Sequence, residues 1–89
     1  MNYKIKETKL FLKDLKEISK SGFDISELQE TVILLAENGE LPLEYKTHLL
    51  KKDFSQTYDS HLDDDIILLW RKNRNVITLI RIGTHGDLF

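Results

Sequence analysis

Two apolar segments late in the chain constrain the fold more than anything before them. Ile66-Ile67-Leu68-Leu69-Trp70 is an unbroken apolar run, too short for an independent helix, and is expected as a central strand. Val76-Ile77-Thr78-Leu79-Ile80-Arg81-Ile82 is rich in β-branched residues and reads as its partner strand. The residues between them, Arg71-Lys72-Asn73-Arg74-Asn75, are all polar and read as a turn. Shorter strand candidates precede this pair, at His48-Leu49-Leu50-Lys51 and from Phe54 to His61.

The first half of the chain has a different period. Leu12, Leu15 and Ile18, with Phe11 beside them, recur at three- and four-residue intervals, and Lys9, Lys13, Lys16 and Lys20 occupy the other side. That spacing predicts an amphipathic helix ending near Ser21-Gly22. A second helix is expected from Asp24 or Ser26, with Ser26 and Gln29 at capping-box spacing. Leu28, Val32 and Leu35 form its buried stripe, and Asn38-Gly39 supplies the exit before Pro42. Before both helices, Tyr3 and Ile5 mark one face of a short first strand. Helices clustered early and strands clustered late predict an α+β fold: a helical hairpin packed on one face of an antiparallel sheet, with residues 1–89 as one domain.

Composition narrows the function classes. The 89 residues include no cysteine, which excludes a disulfide scaffold and a thiolate zinc site and fits a reducing cytoplasm. The N-terminal residues lack the apolar stretch of a signal peptide, and no apolar run is long enough to span a bilayer, so no membrane partner is expected. Net charge is −2, from thirteen basic and fifteen acidic residues. Six lysines fall within residues 1–20, whereas residues 21–43 carry five acids and no base. A local basic surface is therefore available, but the field of the whole protein does little to steer it towards nucleic acid.

The residues with chemical potential lie at the ends of the strand candidates. His48, His61 and His85 are the three histidines, and each stands at such an end or just past it. Histidine moves protons near neutral pH, so the set invites an acid–base reading, although exposed histidines commonly do nothing. In Asp63-Asp64-Asp65, one carboxylate could act as a base or orient a histidine, and a solvated turn is the plainer reading. No pair has close metal-ligand spacing such as H-x-x-x-H, and neither metal nor cofactor is expected. Arg81 interrupts an apolar strand, where a buried guanidinium would need an anion. It either points outward on alternate pleats or waits at the mouth of a cleft for phosphate. The closing Leu88-Phe89 either docks into the core or offers an aromatic surface on which a base can stack.

Arg81-Ile82-Gly83-Thr84-His85-Gly86-Asp87-Leu88-Phe89 fits the pattern R-x-G-[ST]-H-x-x-L-F. It closely resembles the C-terminal signature of the YafQ-type toxins, a branch of the RelE superfamily. His48-Leu49-Leu50, and His61 followed by Asp65, stand where that family keeps its other two histidines and its aspartate. The resemblance implies a RelE-like fold over the whole chain. It also implies a metal-independent, ribosome-dependent mRNA endonuclease acting in the ribosomal A site and neutralised by a cognate antitoxin. It assigns the leading acid–base role to His85, with His48, His61 and Asp65 lining the site, Arg81 on phosphate and Phe89 positioning a base. Two family features are absent. Ile66 replaces a tryptophan, and Gln56-Thr57-Tyr58 replaces a Gly-x-Arg stretch, so phosphate binding falls on Arg81 with Lys51 and Lys52. Two other functions fit the same fold: a ParE-like gyrase inhibitor with no catalysis, and a degenerate toxin that only binds its antitoxin. The convergence of three histidines and Asp65 favours the nuclease.

Overall fold

The computed structural model describes residues 2–50 and 56–89. A strand, β1 (Lys4–Glu7), leads into two helices, α1 (Lys9–Lys20) and α2 (Ile25–Asn38). A single 3-10 turn, Leu43–Tyr45, precedes β2 (His48–Leu49), β3 (Thr57–His61), β4 (Ile66–Asn73) and β5 (Val76–Thr84). A last short helix, α3 (His85–Leu88), follows β5 directly. The five strands form one sheet in the order β1-β5-β4-β3-β2.

The α+β architecture expected from the sequence is the one found. The sheet is mixed, however, because β1 lies parallel to β5 while β2 to β5 run antiparallel. Lys4 pairs with Val76 and Glu7 with Leu79, so the first strand waits for the last one to complete the sheet.

Each helix has an identifiable start. Thr8 accepts the Phe11 N–H at 2.9 Å, and its hydroxyl donates to the Ile80 carbonyl at 2.7 Å. One side chain thus caps α1 and ties it to β5. In α2 the cap is Asp24, whose Oδ1 accepts the Ser26 N–H at 3.0 Å and the Ser26 hydroxyl at 2.7 Å. The Ser26–Gln29 box is therefore not formed: Ser26 already lies inside the first turn and serves as donor to the true cap. Gly39 ends α2 with φ +71°, its N–H on the Leu35 carbonyl at 2.9 Å. A Cβ at Gly39 would collide with the Tyr3 ring, which closes over this turn. Lys72 adds a hydrogen bond to the Gly39 carbonyl at 3.0 Å.

The core lies between the helices and one sheet face. Phe11, Ile18, Leu28 and Leu35 meet Leu68, Trp70, Ile77, Leu79 and Ile82 there. Trp70 stacks on Tyr58 with centroids 4.6 Å apart, and its Nε1–H donates to the Ser60 hydroxyl at 2.9 Å. Ile67 and Leu69 are also buried, although strand alternation turns them to the other face. Burial on both faces is why β4 reads as an unbroken apolar run instead of an alternating one. The register slips between Leu69 and Trp70: Leu68 faces Ile82 and Leu69 faces Arg81, but Trp70 faces Leu79. This irregularity lets both Leu79 and Ile82 point into the core, which strict alternation forbids.

Candidate functional site

The sheet face opposite the helices carries the predicted residues in two rows. In the first, His48 pairs with Asp59, Asp59 with Leu69, and Leu69 with Arg81. In the second, His61 pairs with Ile67 and Ile67 with Gly83. Directly paired residues share a face, as do residues two apart on one strand. His48, Asp59 and His61 therefore face the same way as Gly83, across a floor made by Ile67 and Leu69, while Arg81, at the register slip, reaches round the sheet edge towards α1. At about 4.8 Å between neighbouring strands, β3 and β5 are roughly 10 Å apart. That span suits a nucleotide lying between the two histidines of β2 and β3 and the groups at the end of β5.

At that end the chain turns sharply. Thr84 Oγ1 accepts the Asp87 N–H at 3.1 Å, Asp87 Oδ2 accepts the Thr84 N–H at 3.4 Å, and the Phe89 N–H reaches the His85 carbonyl at 2.9 Å. The turn brings the His85 and Phe89 rings to 5.1 Å between centroids, tilted by 38°. Phe89 remains 56% exposed. Of the two readings of the tail, docking into the core is therefore not what happens: the ring stands open beside His85.

Arg81 is already engaged. Its Nε and Nη2 donate to Asp14 at 3.0 and 2.9 Å, and the Ile82 N–H donates to the same carboxylate at 3.2 Å. These hydrogen bonds, joined by the fields of Asp14 and Asp87, hold the guanidinium still more firmly protonated than usual. Its side chain is 31% exposed, so one edge faces solvent. β1 ends opposite Leu79, and beyond that point Asp14 of α1 takes over the edge of β5.

Asp65 stands just before β4, two residues ahead of the Ile67 that pairs with His61. Asp63 Oδ1 accepts the N–H groups of Asp65 and Ile66, both at 2.8 Å, and so shapes the entry to β4. The Asp65 side chain is exposed and borders a cleft of about 710 Å³ that also includes Arg81, Thr84, Asp87 and Asp14. The register sets His48 and His61 across the floor, and the cleft joins Asp65 to Arg81 and the α3 turn. Among the described residues no hydrogen bond links the three histidines to one another. Lys51 and Lys52 lie outside the described residues.

Four participants were not singled out from the sequence. Asp59 stands within 3.5 Å of His48 Nδ1, and its Oδ1 is buried with no hydrogen-bond partner among the described residues. Its signal was an acid two residues before His61 in a strand candidate, hence on the same face. Asp14 lies at position i+3 from Phe11 and i−4 from Ile18, on the buried stripe of α1, where a carboxylate demands a cation. Arg81 in an apolar strand was the matching signal. Thr84 and Asp87 have the T-x-x-D spacing of a capping box. Among the described residues no three His, Cys, Asp or Glu side chains converge as metal ligands, and no helix is long and apolar enough to cross a membrane.

A two-helix hairpin on one face of a five-stranded sheet, with a histidine-bearing opposite face and a Thr-His-x-x-Leu-Phe tail, defines a RelE-like toxin class. Residues 3–89 match the family described as bacterial toxin of type II toxin-antitoxin system, YafQ, and the chain belongs to that family. It is similar to the mRNA interferase toxin YafQ of Escherichia coli strain K12, 32% identical over 80 residues that cover 89% of this chain and 87% of that one. Its fold is also similar to the crystal structure of a metal-bound toxin from Helicobacter pylori, with TM-score 0.89, 36% identity and coverage of 98% and 99%. The E. coli DinJ-YafQ toxin-antitoxin complex gives TM-score 0.91 and 30% identity, covering 100% of this chain and 99% of that one.

Proposed function

We propose that this toxin cuts mRNA presented in the ribosomal A site, with His85 as its leading acid–base group. The observation that carries the reading is the exposed His85–Phe89 ring pair, held by the turn that follows Arg81 and Gly83. RNA brings its own nucleophile, the 2'-hydroxyl beside each phosphate. That oxygen attacks phosphorus as its proton passes to a base, the bond from phosphorus to the 5'-oxygen breaks, and an acid protonates the leaving oxygen. The products are a 2',3'-cyclic phosphate and a 5'-hydroxyl. His85, His48, His61 and Asp65 line the path for these two proton transfers. The solvent-facing edge of Arg81 stabilises the charge that builds on the phosphate oxygens. Phe89 stacks on a base and thereby sets the position of the phosphate relative to His85.

The names of the E. coli relatives support message cleavage, and the solved complex of one relative supports a cognate antitoxin as the neutralising partner. Such a partner and a ribosomal substrate support a cytoplasmic location. Membership of this family also argues against the ParE-like alternative.

Inducing the protein in bacteria without an antitoxin should arrest growth and produce new 5' ends in translated messages, read by primer extension. His85→Ala should abolish both effects. Arrest that persists in His85→Ala with intact messages would overturn the reading.

A further inference from the structure

A four-residue helix cannot sustain itself, because the cost of nucleation exceeds what so few internal bonds return. Gly86 inside α3 makes matters worse, since glycine disfavours the helical state and its missing side chain meets nothing within 4 Å. Something other than propensity must hold this turn. The reciprocal pair between Thr84 and Asp87 is the local contact that does so, satisfying two N–H groups that the short helix would otherwise leave to water. Packing at the tip is confined to Leu88, which is half-buried beside Gly83, while His85, Gly86, Asp87 and Phe89 are all exposed. The geometry of the His85–Phe89 pair therefore depends on the box more than on the core.

From this we infer that Asp87 is a positioning residue of the nuclease, acting through His85 by keeping the α3 turn closed. The inference rests on the acid–base role proposed for His85. It differs from a general structural role in one respect. The tip is outside the core, so opening it should leave the global fold intact while misplacing the imidazole relative to the phosphate. A cap of this type shifts a local equilibrium by factors of roughly 2 to 30. Closed turns alone place His85 correctly, so the rate of the chemical step should follow that population.

The test is single-turnover cleavage of a message on programmed ribosomes by the full chain, paired with NMR of the His85 ring protons. Asp87→Ala should lower the cleavage rate at saturating ribosome by up to about 30-fold, with half-saturation and melting temperature unchanged. In the same variant the His85 signals should lose the ring-current displacement caused by Phe89. Thr84→Val, which removes the other half of the box, should do the same. Asp87→Glu, the commoner acid at this position of a capping box, should restore both rate and ring-current shift. Asp87→Asn, which keeps an acceptor but removes the charge, should retain most of the rate.

Unchanged rate and His85 signals in Asp87→Ala would overturn the inference. So would a loss that Asp87→Glu leaves uncorrected, or an Asp87→Asn variant as slow as Asp87→Ala, since either result assigns the carboxylate a direct part through its charge. The underlying reading fails separately: His85→Ala would then still cleave. If His85→Ala is dead and Asp87→Ala is normal, only the positioning role is lost.

Discussion

Replacing Asp14 by alanine removes one carboxylate that serves three donors: Nε and Nη2 of Arg81 and the backbone N–H of Ile82. The two losses differ in kind. Arg81 keeps a 31% exposed side chain, so water partly resolvates it, and the ion pair itself is worth only about 1 kcal/mol after screening. Ile82 is 1% exposed, and its N–H loses the acceptor that replaced the vacated strand edge, at about 1–2 kcal/mol. The sum is about 2–3 kcal/mol, a large part of the stability of so small a domain. For a chain of this size it corresponds to a drop of roughly 10–20 °C in melting temperature. Urea unfolding followed by the emission of Trp70, the only tryptophan, measures it directly. Asp14→Asn should cost less than Asp14→Ala, because its amide oxygen can still accept from Ile82. A double-mutant cycle with Arg81→Met should return a coupling of about 1 kcal/mol. The reasoning is refuted if Asp14→Ala costs under about 0.5 kcal/mol, or if the cycle shows no coupling beyond roughly 0.3 kcal/mol.

Two further outcomes can be checked with the same chain. Ser60→Ala should cost about 1–3 kcal/mol in urea unfolding, because it strands the buried Trp70 Nε1–H and also breaks the 2.7 Å contact with Thr47. The helix cap at Asp24 should show up in acid: bonds from the Ser26 hydroxyl and N–H hold its carboxyl below the ordinary value of 3.8. A depressed folded value means that its contribution is present above pH 3.8 and is lost as pH falls through the lowered value. Helical circular dichroism during acid titration should reveal this step, and Asp24→Asn, which has no carboxyl to protonate, should lack it.

Most elements were legible because each obeys a local rule. The three- and four-residue spacing of α1, the Gly39 exit and the β-branched run of β5 all report on the chain within a few residues of themselves. The parts that escaped are set by partners far away. Nothing near Tyr3 and Ile5 says that β1 will run parallel to β5. The slip between Leu69 and Trp70 is a property of two strands together, so alternation along one of them gave no sign of it. Arg81 read as an outward residue or a waiting phosphate ligand because its true neighbour, Asp14, lies 67 positions earlier. For the site, the tail motif identified His85, Arg81 and Phe89, and the register brings His48 and His61 to the same face. Asp65 was named with those histidines from its position after His61, and it also borders the cleft that Arg81 lines.

The pairing of Lys4 with Val76 has a consequence for the order of synthesis. Proteins emerge from the ribosome N-terminus first, and β1, α1 and α2 are made long before the strand that anchors them. Until β5 exists, β1 has no neighbour in the sheet and Thr8 has no Ile80 carbonyl to hold the start of α1. The residues proposed for chemistry at His85 follow immediately after that same strand. A nascent chain short of β5 is thus unfolded at its anchor and lacks the histidine proposed to lead the chemistry at once, so any cutting activity waits until that strand has been made.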